Sequence, residues 1–221
     1  MRPLVLSLVR TAVAVIVLTI VTAPALARQV QPPAQPAGRP DRVTRTPALP
    51  PGALRVVGAA WYKGRAAICA EEPGAAVAWA GRSIARTRVW VRDGTATRQV
   101  ALGPGACDPV WSPDGDRLAV VTPSGLWVLS ADLRRTTHLV DVRHRDGTVG
   151  GGEPRMLSRP AWAPDAAALA FRASNGRTTW VEVVDVQTGA PRYVSDPETY
   201  EFAWEADSRS LRFGSRVIRL P

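Results

Sequence analysis

Lysine is almost missing from this 221-residue chain: Lys63 is the only one, although Lys and Arg total 28 against 19 acids and the formal net charge is +9. The basicity is therefore an arginine property, and arginine forks two hydrogen bonds onto a carboxylate or phosphate. The arginines are scattered rather than clustered, so no basic stripe points to nucleic acid. Histidine is equally scarce. His138 and His144, with Asp141 and Asp146 nearby, are six residues apart. On an extended segment that spacing is ~20 Å, too far for one metal ion. The two cysteines, Cys69 and Cys107, lack metal-ligand spacing. Gly150-Gly151-Gly152 runs into Glu153-Pro154 without the Lys-Ser/Thr of a phosphate loop. Gly81-Arg82-Ser83-Ile84-Ala85 lacks the second glycine of a nucleophile elbow. These absences leave no catalytic constellation and no cofactor motif.

The N-terminus is built for export. Arg2 and Arg10 flank a basic start, Thr11 to Val21 is apolar apart from two threonines, and Pro24 precedes Ala25-Leu26-Ala27. That is a signal peptide ending at residue 27, too short for a membrane span of ~20 apolar residues. No cysteine lies near the cleavage point, which argues against a lipoprotein. Losing Arg2 and Arg10 lowers the formal charge from +9 to +7. Residues 28–52 carry prolines at 32, 33, 36, 40, 47, 50 and 51 and read as a disordered, polyproline-like linker. Residues 53–221 suffice for one domain with its own core. In an oxidising compartment Cys69 and Cys107 are expected to pair.

A repeat organises that domain. Trp61, Trp111, Trp162 and Trp204 each follow small or apolar residues and precede a turn, at intervals of 50, 51 and 42. Such a period marks a propeller, with one four-stranded antiparallel blade per repeat. The full motif is Val110-Trp111-Ser112-Pro113-Asp114-Gly115. Proline fixes φ, Asp114 bonds the backbone ahead of it, and Gly115 accepts positive φ. Asp165 occupies the same place in the third repeat, where Ala166 replaces the glycine. Strands are expected at Arg65–Glu71, Thr87–Arg92 and Thr97–Leu102. In the second repeat they fall at Arg117–Thr122, Leu126–Ser130 and Arg135–Val140. The third has Ala167–Ser174, Thr178–Asp185 and Pro191–Ser195, and the fourth Ser210–Phe213 and Arg216–Leu220.

Val110 to Gly115 followed by Leu118-Ala119-Val120 resembles the repeat of TolB-type periplasmic propellers and of the propellers of prolyl oligopeptidases. The resemblance spans residues ~55–221 and implies an all-β propeller, or partial propeller, of about four blades. It implies an exported, periplasmic or secreted interaction module whose tryptophans pack between blades. The oligopeptidases keep their chemistry on a separate hydrolase domain, for which no residues remain, so the chain is not expected to be an enzyme. The last repeat lacks a fourth strand, and Leu54–Val57 is a candidate to complete it. An open arc pairing with a second copy is the rival arrangement.

The blade path also assigns a face. Second-to-third connections and blade-to-blade connections emerge together, and both long ones, 72–86 and 141–159, lie there with the cysteines. Loops on a rigid scaffold are where binding groups gather. The candidate binding residues are Trp79, Arg82, Arg143, His144, Arg145, Asp146, Glu153 and Arg155, facing a protein or an anionic envelope polymer. Trp79 tucked beneath its own loop is the structural alternative. Two other functional readings stand beside this one. They are a propeller hydrolase or lyase using acidic residues on one face, and a sensor domain on an uncleaved signal anchor.

Overall fold

The computed structural model describes residues 47–143, 154–195 and 201–221. The expected signal peptide, residues 1–27, and residues 28–46 of the expected linker lie outside them. The fold is all-β. The first blade is β1 (Arg55–Tyr62), β2 (Arg65–Glu71), β5 (Thr87–Asp93) and β6 (Ala96–Gln99), with the hairpin β3 (Val77–Trp79) and β4 (Arg82–Ile84) inserted between its second and third strands. The second is β7 (Cys107–Trp111), β8 (Arg117–Thr122), β9 (Gly125–Ser130) and β10 (Thr136–Asp141). The third is β11 (Met156–Trp162), β12 (Ala168–Ser174), β13 (Thr179–Asp185) and β14 (Pro191–Val194). The last has three strands among the described residues, β15 (Ala203–Trp204), β16 (Ser210–Phe213) and β17 (Arg216–Arg219). All pairings are antiparallel, and inner strands touch in chain order, β1 to β7, β7 to β11 and β11 to β15.

Stacked blades explain why the middle strands read as unbroken apolar runs. In β8, Leu118 and Val120 face the first blade while Ala119 and Val121 face the third. In β12, Leu169 and Phe171 pack towards the second blade, and Ala168 and Ala170 towards the fourth. A strand buried on both sides has no polar face to alternate with. Alternation returns at the end of the stack: Leu211 and Phe213 of β16 face inward, while Arg212 between them pairs with Glu205 at 2.8 Å.

The repeat residues are interblade staples. The Trp162 indole N–H donates to the Val110 carbonyl (3.1 Å), and that of Trp204 to the Ala161 carbonyl (3.0 Å), one blade back in each case. Arg65 stacks 4.6 Å over Trp111 and donates to the Gly115 carbonyl. Arg117 stacks 4.9 Å over Trp162 and donates to the Ala166 carbonyl. A desolvated cation–π contact is worth roughly 2 kcal/mol. Cys69 of the first blade and Cys107 of the second form the expected disulfide.

Two expectations are corrected. Trp61 packs between no pair of blades; it lies on the outer face of the first with Ala66, Ile68, Ala70 and Trp90. Nor does Leu54–Val57 complete the last blade. The Leu54 amide donates to the Glu71 carbonyl, and Arg55 and Val56 pair with Glu71 and Ala70 of β2, so this segment lengthens β1 instead. The chain just before it covers the end face. Pro47, Pro50 and Ala53 are buried, and Arg92 donates to the Ala48 carbonyl at 2.5 Å. The terminal sheet thus gains a cap where a neighbouring blade would otherwise sit.

Candidate functional site

The connection 72–86 is not a plain loop. Val77↔Ile84, Ala78↔Ser83 and Trp79↔Arg82 pair across an Ala80-Gly81 turn with φ of 47° and 73°, a two-residue hairpin with both central residues left-handed. Its stem is fixed by Glu72, which takes Arg88 at 2.8 Å and Arg86 at 3.6 Å. The hairpin lies across the predicted face. A Cβ on Gly105 would meet both Pro123 of the second blade (2.6 Å) and Val77 (3.4 Å). Trp79 packs against the core between the second and third blades, and Arg82 reaches the third-blade turn, where a Cβ on Gly176 would lie 3.6 Å from its Nη2.

Trp79 is therefore not an exposed anchor. Its ring is half-buried and its indole N–H is buried without an acceptor among the described residues. Arg82 and Arg143 are exposed, and Arg177, on the Asn175–Gly176 turn of the same face, joins them. Arg177 is not among the residues singled out from the sequence. None of the three makes an ion pair among the described residues. Ala78 and Ser83 form the outward side of the hairpin, both exposed. His144, Arg145, Asp146 and Glu153 lie outside the described residues.

Arg155 is the clearest correction. It is only 4% exposed, sunk between the second and third blades and paired with Glu182 of β13. Its Nη2 donates to the Asp141 carbonyl at 3.2 Å, and the Trp180 indole N–H donates to the same Glu182 Oε1 at 2.7 Å. Burial drags the guanidinium below its ordinary pKa, and Glu182 and Asp141 oppose that pull. An arginine so held anchors its loop and offers nothing to a partner.

The acids near this face are engaged locally. Besides Glu72, the Asp141 carboxylate accepts the Arg143 amide at 2.7 Å. The motif aspartates serve turns on the other face. Asp114 accepts the Ser112 hydroxyl and the Asp116 amide. Partial burial raises its pKa, but those bonds and Arg117 outweigh it, and the net shift is downward. Asp165 accepts the Ala167 amide, and Asp207 those of Arg209 and Ser210. Among the described residues no three His, Cys, Asp or Glu side chains are grouped to hold a metal. Across the molecule, between the third and fourth blades, a groove of about 480 Å³ is lined by Arg192, Arg209, Arg219, Ser208, Leu220 and Pro221.

No family model matches the sequence, and no curated protein resembles it closely enough to match. Solved structures do match. The β-propeller domain of the Trilobed protease from Pyrococcus furiosus is 12% identical with a TM-score of 0.51, over 71% of this chain and 47% of that one. The Pyrococcus horikoshii acylaminoacyl peptidase is 12% identical at 0.52, over 71% and 27%. The tricorn protease is 13% identical at 0.50, over 73% and 15%. The chain spans less than half the length of each of these. With four stacked antiparallel sheets, this likeness assigns the chain the β-propeller fold, as a partial propeller.

Proposed function

We propose that the chain is an exported, non-catalytic binding module of the TolB type, acting in the periplasm or after secretion. Its docking surface is the face crossed by the β3–β4 hairpin, and its partner is a protein or an anionic envelope polymer. The hairpin carries this reading. An insertion that no blade requires is seated across three blades by Trp79 and Arg82, so its outward side is presented on a rigid support. Arg82, Arg143 and Arg177 stand exposed around it without carboxylate partners among the described residues, the residue type enriched at interface hot spots. Among the described residues, Glu72 is tied to Arg86 and Arg88 and Asp141 to the Arg143 amide, which favours binding over acid–base chemistry. The Cys69–Cys107 bridge accords with an oxidising compartment.

The test is capture from envelope extract with the domain tagged at its C-terminus. The variant R82E/R143E/R177E is expected to lose the captured component while melting like the parent. Equal capture by parent and variant removes this face from consideration.

A further inference from the structure

The groove between the third and fourth blades opens on the face opposite the hairpin. The β13–β14 turn, the β15–β16 turn and the end of β17 converge there. They bring together Arg192, Arg209 and Arg219, which are far apart in sequence. We propose that this groove is an oxyanion site that grips phosphate or carboxylate groups of an anionic polymer. The site is separate from the hairpin face and does not rest on its role.

The guanidinia are unequally committed. Arg192 is held by Asp185, whose carboxyl is lowered to about 2 by the Thr188 amide and then by Arg192 itself. Arg209 and Arg219 have no carboxylate partner among the described residues. Asp207 lies close enough to Arg219 to feel its charge, but its oxygens are taken by the Arg209 and Ser210 amides and the Ser210 hydroxyl. Ser208 accepts the Asp165 amide at 2.9 Å, which leaves its own hydroxyl proton to donate. The groove therefore presents two unpaired forks and a hydroxyl, all donors. No Asp or Glu side chain is among its described lining residues.

The lining suits a polymer of oxyanions. The Leu220 amide is already bonded to the Arg209 carbonyl at 2.6 Å, and the arginine side chains are forks that match planar or tetrahedral oxyanions.

The experiment is fluorescence anisotropy with three labelled probes: polyphosphate, a polyuronate and polyaspartate. Binding of polyphosphate supports phosphate as the source, and binding of the polyuronate supports a sugar carboxylate. In either case R209Q/R219Q is expected to weaken binding about tenfold or more. It should also flatten the dependence of log K on log salt by roughly one and a half units, as two fewer contacts release fewer counterions. R134Q/R135Q, an exposed pair between β9 and β10 that belongs to neither face's site, should bind like the parent. R209K/R219K keeps the charge but loses the forks; an intermediate loss is expected, and this pair supplies the readout should the glutamine pair fold poorly. The proposal is overturned by unchanged binding in R209Q/R219Q, by an equal loss in R134Q/R135Q, by binding of polyaspartate alone, or by no binding to any probe.

Discussion

Glu182→Gln isolates the buried pair that locks the second and third blades together. The substitution keeps shape and one carbonyl oxygen, so Trp180 retains an acceptor and no cavity opens. What it removes is the charge facing a guanidinium that is 4% exposed. Leaving a buried charge without its counterpart costs about 3–5 kcal/mol. For a domain of this size that lowers the melting midpoint by roughly 10–15 °C. The assay is urea unfolding followed by tryptophan fluorescence, with an unchanged m-value as the check that only stability has moved. The double variant R155M/E182M removes both charges and is expected to recover most of the loss, because apolar replacement of a buried pair is often neutral. A loss below about 1 kcal/mol in E182Q, or a double variant as unstable as the sum of the singles, would refute the claim that this pair is desolvated.

Four further outcomes follow from contacts elsewhere in the fold. Reducing Cys69–Cys107 opens a 38-residue loop and should cost about 4 kcal/mol on the chain-entropy account, measured by paired denaturation with and without reductant. Gly115→Ala should cost roughly 2–4 kcal/mol, since φ is +78° and the new Cβ would overlap the Tyr62 ring. Ala166→Gly, at the equivalent turn with φ of 59°, should be neutral to about 1 kcal/mol stabilising. The Asp185 carboxyl lies below its unfolded value of 3.8, at about 2, so its contribution is present above pH ~4 and is lost as pH falls towards 2. The parent's melting midpoint should therefore fall more steeply over that window than that of Asp185→Asn.

The blades were legible because their determinants are local. Ser112-Pro113-Asp114-Gly115 and Asn175-Gly176 fix turns within a few residues, and the predicted strands of the second and third blades fall within a residue or two of those observed. What escaped is tertiary. Arg155 looks like a surface residue until Glu182, 27 positions on, is brought against it by the stacking of two sheets. Leu54–Val57 could pair with either end of the molecule on sequence grounds, and contiguity with β1 decided it. The β3–β4 hairpin did leave a signal in Ala80-Gly81 between two short, alternately apolar stretches, but with three residues on each side it is weak. Arg209 and Arg219 meet Arg192 only through the packing of the last two blades, which no spacing in the chain records.

The most direct test of the account is site-specific photocrosslinking in intact cells. A photoreactive residue replaces either Ser83, on the outward side of the hairpin, or Lys63, on a turn of the opposite face of the first blade. The account predicts a discrete crosslinked partner from position 83 and none from position 63. A partner captured from 63 but not from 83 would contradict it.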